Sequence, residues 1–259
     1  MAYETLLLQK KNGVGIITLN RPAKLNALST TLLNEFDRAL TEFEEDGEVD
    51  VLLVTGAGDR AFSAGADIHE MVEVSEAQPG VPDQRPRDWV WHLANYRKPT
   101  IGVINGLAHG GGALMSSIFD IRLGCERTNF RFLAVSYGRV NSTWSLPLIV
   151  GLPMAKELLF TGRIVEAEEA FRIGLLNRLV PSAELMKTAL EMAELIASND
   201  ASAVQAVREM LVGDIGMNWY DMLRNEARII ARSVKSPPPR QSFSSFLERK
   251  GKRRGKGGD

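Results

Sequence analysis

The sequence predicts an α/β fold that ends in a helical region. Short apolar, β-branched segments alternate with amphipathic helical patterns up to about residue 180, and helical patterns dominate after that point. The chain has 259 residues, 44% of them hydrophobic, which is enough to bury a sizeable core. It shows no repeat of fixed period and no long linker before residue 236. We therefore predict one α/β core with an appended helical region.

The elements follow from these local patterns. Residues 14–19 are β-branched and apolar and predict a strand, which Asn20-Arg21-Pro22 ends. Ser29 or Thr30 is expected to cap a helix whose apolar face carries Leu32, Leu33, Phe36, Leu40 and Phe43. Further strands are predicted at 51–55, 101–104, 121–124, 129–132 and 176–180. Further helices are predicted at 66–74, 88–96, 113–119, 154–160, 166–171, 183–197, 201–211, 217–234 and 243–250.

Proline and glycine mark the breaks between these elements. Pro79, Gly80, Pro82 and Pro86 predict a loop over residues 75–87. Pro153 suits the first turn of a helix, where its missing N–H costs nothing. Ser236-Pro-Pro-Pro is expected to end the last long helix.

Composition excludes several classes of function. One cysteine excludes an internal disulfide framework and a cysteine-built metal site, and three histidines make a histidine-rich centre improbable, so we expect no metal and no separate cofactor. No apolar run approaches the ~20 residues of a membrane span. The first residues lack the basic and apolar regions of a signal peptide. We expect a cytoplasmic protein without a membrane partner.

The last eleven residues, 249–259, carry six basic side chains against one acidic one. Such a segment can bind nucleic acid or an anionic surface, or it can be a solvated terminus. No aromatic residue is interleaved with these charges, and the rest of the chain is acidic. We favour the solvated terminus and do not expect nucleic acid as a partner.

The strongest local signal for chemistry is the stretch Ile101-Gly-Val-Ile-Asn-Gly-Leu-Ala-His-Gly-Gly-Gly-Ala-Leu-Met115. A predicted buried strand leads into glycines that open a helix, whose first amides lack intrahelical acceptors. Without Cβ atoms, a ligand oxygen can approach these amides closely. The glycines could instead serve tight packing alone. A dinucleotide or phosphate loop is excluded because the spacing fits neither pattern.

A second segment, Ala61-Phe-Ser-Ala-Gly-Ala-Asp-Ile-His-Glu-Met71, also turns from a strand region into a helix, near Gly65. Its backbone amide could oppose the first site. Two N–H groups that converge on one oxygen polarise a carbonyl and stabilise an enolate.

These two segments, about 45 residues apart, resemble the crotonase (enoyl-CoA hydratase/isomerase) superfamily. Further matches are Asn20-Arg-Pro-Ala-Lys-Leu-Asn-Ala-Leu28, Lys98-Pro99, Asp120-Ile121, Leu159-Phe-Thr-Gly162, Glu168 and Ala170 with Gly174-Leu-Leu, and Phe246-Leu-Glu-Arg-Lys250. The ordered set covers essentially residues 3–250.

The resemblance implies a crotonase-like spiral of ββα units with a C-terminal helical trimerisation region, and trimers that can pair into hexamers. We divide the chain into a core (1–195), a helical region (196–250) and a basic flexible tail (251–259). The implied ligand is an acyl-CoA thioester, whose oxygen would bind the amides of Ala66 and Gly111. Coenzyme A would contact the backbone around Lys24, Leu25 and Ala27 together with Ala64, Asp67 and Ile68, with Lys24 and Lys250 near phosphates. Asp67 is also expected to cap its helix.

The chain departs from the family at two positions. Hydratases of the family use two glutamates, and here the corresponding positions are Leu114 and Ala134, which cannot transfer protons. The following stretch, 138–151, is about three residues shorter than usual, so we expect a reshaped pocket. We assign Gly110, Leu114, Ala134, Asn141 and Ser142 to substrate binding.

His109 is the candidate replacement for the missing acids, since imidazole titrates near neutrality. A packed side chain behind the loop is the alternative. We expect an acyl-CoA enzyme that stabilises an enolate, with isomerase, decarboxylase or hydrolase chemistry favoured over two-glutamate hydration. A non-catalytic acyl-CoA-binding or scaffold homologue is the alternative function.

Overall fold

The computed structural model describes residues 2–77, 86–234 and 238–243. The chain divides into two compact units, with the division between Ala201 and Ser202. Most of the predicted 75–87 loop, nearly all of the predicted 243–250 helix and the basic tail lie outside the described residues.

A six-stranded sheet forms the larger layer of the first unit. It contains β1 (Leu6–Lys11), β2 (Val14–Leu19), β3 (Val51–Gly56), β5 (Thr100–Ile104), β7 (Ile121–Gly124) and β10 (Arg178–Leu179), in the order β1-β2-β3-β5-β7-β10. The β1–β2 pair is antiparallel, and all the others are parallel.

A four-stranded sheet forms the second layer. It contains β4 (Ala61–Ser63), β6 (Leu107–His109), β8 (Asn129–Arg131) and β9 (Ile164–Glu166), in that order. The chain therefore alternates between the sheets three times, since β3, β5 and β7 each lead into a short strand of the second sheet. This alternation is the repeated ββ arrangement that the resemblance implies.

Helices cover and connect these sheets. They are α1 (Thr30–Glu45), α2 (Ile68–Ala77), α3 (Asp88–Ala94), α4 (Gly111–Ser116), α5 (Leu146–Val150), α6 (Leu152–Thr161), α7 (Ala167–Arg172) and α8 (Ser182–Ala197). α9 (Ala201–Gly213) leads into the second unit, which also contains α10 (Trp219–Ser233) and α11 (Pro239–Ser242). Among the described residues, no helix is long and apolar enough to cross a membrane.

Most predicted elements are confirmed, with corrections at their ends. Ser29 caps α1 by accepting a hydrogen bond from the Leu32 amide, and the predicted apolar face of that helix is buried. The predicted helix 113–119 instead begins at Gly111 and ends at Ser116. The predicted last strand 176–180 shrinks to β10, which has only two residues. The sequence did not predict β1, β6, β9 and α5. The last three have only three to five residues, too few to show a period. β1 has six residues but no β-branched one.

The core lies on both faces of the larger sheet. In β3, Leu52 and Val54 face the cluster built around α1, while Val51 and Leu53 face a second cluster that includes the buried side of α8. A strand that is buried on both faces reads as a continuous apolar run. This explains why the sequence predicted β3 and β5 without any polar alternation.

Glu35 links α1 to the N-terminal segment. Its carboxylate accepts hydrogen bonds from the Glu4 amide (2.8 Å), the Thr5 amide (2.8 Å) and the Thr5 hydroxyl (2.6 Å). Burial by itself raises the pKa of Glu35, but these donors outweigh it and leave the pKa below its ordinary value. The ionised carboxylate is therefore part of the folded state.

We expect Glu35→Gln to lower the free energy of unfolding by about 1–3 kcal/mol at neutral pH. The glutamine side chain has an NH2 group in place of one carboxylate oxygen, and this group cannot accept the hydrogen bonds that the oxygen accepted. Since the folded pKa is depressed, the contribution is present above the unfolded pKa and is lost as pH falls through the folded pKa. Urea unfolding at several pH values measures both effects. Glu42→Gln, on the same helix but exposed, should stay within about 0.5 kcal/mol, and an equal loss in both variants would contradict the assignment.

Candidate active site

Two glycine turns bring the predicted donor segments together. Gly65 follows β4 with a φ of 89°, and Gly110 follows β6 with a φ of 52°. Both values lie in the left-handed region that side chains with a Cβ rarely adopt. These glycines allow the chain to reverse direction at the end of each short strand.

The two turns lie in direct backbone contact. A Cβ on Gly65 would lie 2.5 Å from the His109 carbonyl oxygen and 2.8 Å from the Gly111 nitrogen. A Cβ on Gly111 would lie 3.6 Å from the Ala66 nitrogen. No side chain fits between the segments at Gly65, so the amides of Ala66 and Gly111 are neighbours.

Local pairing sets the direction of the Ala66 amide. The Leu28 amide donates to the Gly65 carbonyl (2.7 Å), and the Asp67 amide donates to the Leu28 carbonyl (3.2 Å). In such a parallel bridge the intervening residue directs its own N–H away from the partner strand. The Ala66 N–H therefore points away from Leu28.

The Gly111 amide is free for a different reason. It is the first residue of α4, where an amide has no intrahelical acceptor. Within the described part of the chain, neither Ala66 nor Gly111 donates a backbone hydrogen bond. α4 has only six residues, so the donors act mainly through their own N–H dipoles, and little of the effect comes from a helix macrodipole. Two unengaged donors side by side suit one oxygen acceptor.

The segments assigned to coenzyme A also lie together. The Ala64 amide donates to the Leu25 carbonyl (2.9 Å), which aligns residues 24–28 with 64–67. Lys24 is exposed and Ile68 is 60% exposed, whereas Ala27 is buried. The backbone around Lys24 and the Ile68 side chain are therefore open to a ligand on this side.

Asn26 holds this arrangement, and the sequence reading did not single it out. It is fully buried, and its φ is 54°. Its side-chain amide donates to the carbonyls of Ala57 and Ala61, while its own carbonyl accepts from the Ser63 hydroxyl. The one feature of the sequence that could have pointed to Asn26 is its place in the matched Asn20–Leu28 motif.

Two residues assigned to the acyl part follow residues that contact or continue the Gly110 turn. The Leu133 side chain would lie 3.4 Å from a Cβ on Gly110, and Ala134 is the next residue along the chain. Leu114, one turn into α4, is half-buried and packs against the core. Neither side chain carries a proton that it could transfer.

Asn141 and Ser142 lie in the loop before α5. Ser142 is buried and has a φ of 59°, and its hydroxyl donates to the Asn141 side-chain oxygen (3.3 Å). The Ser145 hydroxyl shares a hydrogen bond of 2.7 Å with the Ser117 hydroxyl, which also donates to the Leu114 carbonyl. The loop is thus tied to α4 near the predicted acyl pocket.

His109 lies beside the donors in sequence, but its ring has a partner on the second sheet. Ala108 points into the core, so His109 lies on the opposite face of β6. Its Nε2 is 2.7 Å from the Asn129 Oδ1. Burial lowers the pKa of His109, and the Arg131 charge adds to this despite the bond to Asn129. The neutral ring therefore donates through Nε2, and this geometry favours packing behind the loop.

Potential metal ligands are scattered over the described part of the chain. No group of three histidine, cysteine, aspartate or glutamate side chains there is arranged to hold a metal ion. Cys125 is buried. The other two histidines lie elsewhere: His69 is on the exposed side of α2, and His92 pairs with Asp37 on α1.

Comparison with known proteins finds a matching family model and relatives of similar length. The family model described as enoyl-CoA hydratase/isomerase matches residues 9–254. A short-chain-enoyl-CoA hydratase of Clostridium acetobutylicum is 33% identical over 253 residues, covering 96% of this chain and 97% of the relative. A crotonyl-CoA hydratase of Syntrophomonas wolfei is 33% identical with the same coverage. A crystal structure of an enoyl-CoA hydratase from Bacillus anthracis superposes with a TM-score of 0.85 at 30% identity, over 95% of this chain and 97% of that one.

We expect Gly65→Ala to be strongly destabilising, because it adds a collision with the Gly111 backbone to the strain of a positive φ. Gly58→Ala is the matched control, since Gly58 has a φ of 80° but its Cβ would only touch Pro22 at 3.6 Å. Strain alone costs roughly 1–2 kcal/mol, so Gly58→Ala should lose about that much and Gly65→Ala clearly more. Chemical unfolding measures both, and equal losses would show that the segments are not in contact.

Proposed function

The chain belongs to the enoyl-CoA hydratase/isomerase family, and we propose that it acts on acyl-CoA thioesters by stabilising an enolate at the amides of Ala66 and Gly111. The observation that carries the proposal is the contact between the two glycine turns, which leaves two adjacent N–H donors without acceptors among the described residues. A thioester oxygen that accepts both hydrogen bonds becomes more negative as an enolate forms, and the bonds strengthen with it. Removing one such donor typically costs ~3–4 kcal/mol of transition-state stabilisation.

Two-glutamate hydration is not the reaction we propose. Hydration needs one group to activate water and another to protonate carbon. The positions that match the family's glutamates are Leu114 and Ala134, and neither side chain can transfer a proton. The relatives named above are called hydratases, but hydration depends on proton carriers, and these two positions do not supply them.

Reactions that need fewer proton transfers from protein side chains fit the candidate site better than hydration does. In a decarboxylation, the bond between Cα and the carboxylate of a malonyl-type thioester breaks, carbon dioxide leaves, and the electron pair moves into the thioester carbonyl. The enolate then takes a proton from water. Double-bond isomerisation and hydrolysis of a thioester or carbon–carbon bond also pass through charge on this oxygen, so all three reaction types remain in the proposal.

The coenzyme A part is proposed to lie along residues 24–28 and 64–68. Backbone pairing aligns these segments, and Lys24 is exposed beside them, where its ammonium can meet a phosphate. Lys250, assigned to the same role, lies outside the described residues. Asp67 contributes as a cap of α2, since the Glu70 amide donates to its carboxylate.

We expect turnover of at least one member of a panel of enoyl-, malonyl-type and β-ketoacyl-CoAs, without hydration of the conjugated enoyl-CoA. Hydration is measured by the loss of ultraviolet absorbance of the conjugated thioester, and the other reactions by chromatography of the products. Rapid hydration would contradict the exclusion of hydratase chemistry. Tight acyl-CoA binding without any turnover would support the non-catalytic alternative.

The donor role is tested by Gly111→Pro against Gly111→Ala. Both variants add a Cβ near Leu28, but only proline removes the amide hydrogen, and the first position of a helix tolerates proline. Gly111→Pro should lose about 10²–10³-fold in kcat, well beyond Gly111→Ala. Equal activities of the two variants would remove Gly111 from the oxyanion site.

A homotrimer, which can pair into a hexamer, is proposed as the assembly. Trp219, Leu223 and Ile230 recur along one face of α10 and are 88%, 67% and 46% exposed in the single chain. A stripe of large exposed apolar residues at helical spacing suits a protein interface. We propose that its partner is a second copy of this chain.

Sedimentation equilibrium should give a trimeric or hexameric mass for the wild type and a smaller species for Trp219→Asp with Leu223→Asp. Arg228→Asp is the control, since residue 228 lies about two and a half turns from Trp219 and thus on the opposite face of α10. A monomeric wild type, or a double variant of unchanged mass, would contradict the proposed interface.

A further inference from the structure

Arg21 connects the two strands that hold the Ala66 donor. One guanidinium nitrogen lies 2.9 Å from the Asp67 carboxylate, and another donates to the Ala27 carbonyl at 2.7 Å. The side chains of Arg21 and Asp67 are 22% and 10% exposed, so most of this contact is shielded from water. The guanidinium thus links the two residues, Ala27 and Asp67, that flank the bridge between Leu28 and Ala66.

Asp67 is fixed at both its backbone and its side chain. Its amide donates to the Leu28 carbonyl, and its carboxylate accepts from Arg21 and from the Glu70 amide. Burial by itself raises the pKa of Asp67, but the hydrogen bond from Arg21 outweighs it, and the pKa lies below its ordinary value. Asp67 is therefore ionised and cannot turn without breaking these bonds.

A second contact secures the same two segments. Glu70, in the first turn of α2, accepts the Thr30 amide at 2.9 Å. The segment that contains Ala66 is consequently held at Gly65, Asp67 and Glu70 by residues 21–30. Ala66 lies between these contacts, and the positions of its neighbours therefore set the direction of its N–H.

Charge adds to the effect of position. An unpaired carboxylate one residue from Ala66 would oppose the negative charge that grows on a thioester oxygen. The Arg21 guanidinium neutralises that carboxylate while it holds the backbone. Lysine could supply the charge, but as a single point it could not hold Asp67 and the Ala27 carbonyl with the same fixed geometry.

We propose that Arg21 and Asp67 are positioning residues that aim the Ala66 amide at the thioester oxygen. The inference rests on the proposed function, since it concerns the same oxyanion site. Neither side chain needs to touch the substrate for this role. Their loss should weaken polarisation of the thioester carbonyl more than it weakens binding of coenzyme A.

The test uses butyryl-CoA labelled with ¹³C at the thioester carbonyl, bound to the full chain. Infrared difference spectroscopy measures how far binding lowers the carbonyl stretching frequency. We expect a clear downshift in the wild type, a smaller one in Arg21→Lys and Asp67→Asn, and an unchanged Kd within about threefold. For the panel substrate that is turned over, kcat should fall roughly 10–100-fold with little change in KM.

Arg38→Lys is the matched control. Arg38 also interacts with a carboxylate and a neighbouring group, Glu35 and the Tyr3 ring, but it lies eight residues into α1, about 12 Å along the helix from Thr30. Its replacement should leave the carbonyl downshift unchanged. Asp67→Glu, which keeps the charge, should recover part of the shift lost in Asp67→Asn.

The outcomes separate the two proposals. A wild type without a carbonyl downshift overturns the oxyanion site itself. A downshift that is equal in the wild type, Arg21→Lys and Asp67→Asn leaves the site standing and overturns the positioning role. Should Arg21→Lys fail to fold, Asp67→Asn and Asp67→Glu decide the question, since they leave the Arg21 contact with Ala27 available.

Discussion

The close approach of the Gly65 and Gly110–Gly111 backbones is the constraint on which the candidate site depends. Nothing larger than hydrogen fits on Gly65, since a Cβ there would lie 2.8 Å from the Gly111 nitrogen. The approach makes the amides of Ala66 and Gly111 neighbours without using any side chain. The position and direction of the two N–H groups consequently depend on the backbone, and the surrounding side chains hold that backbone in place.

The two sheets explain why the approach is possible. β4 and β6 are parallel neighbours in the smaller sheet, so their carboxyl ends, and the glycine turns that follow them, lie at the same edge. β3 and β5 are likewise neighbours in the larger sheet. A binding site at the carboxyl ends of parallel strands is a general consequence of such topologies. Here the alternation between sheets places one turn from each ββ pair at that edge.

The sequence marked the two glycine segments more clearly than the residues that hold them in place. The glycine run and the Gly65 segment are local signals, residues 14–19 and 51–55 are short apolar runs, and residues 29–43 have a helical period, so these parts were predicted from the residues themselves. The resemblance added the pairing of Ala66 with Gly111. Arg21, Asn26 and Glu70 make contacts over 31 to 46 residues of chain separation, and no local pattern shows which distant backbone group or carboxylate a polar side chain will meet. The same limit hid the partner of His109, Asn129.

Backbone donors also explain how such a site can change its chemistry. Substituting Leu or Ala for an acid removes a proton carrier, but it leaves the amides of Ala66 and Gly111 where the glycine turns put them. The capacity to stabilise an enolate is therefore separable from the capacity to move protons. Leu114 and Ala134 have apolar side chains, and His109 is neutral and engaged with Asn129. For the candidate site, this composition is the reason we propose reactions in which the substrate itself releases the electron pair, because the protein then needs only to hold the oxygen on which the charge collects.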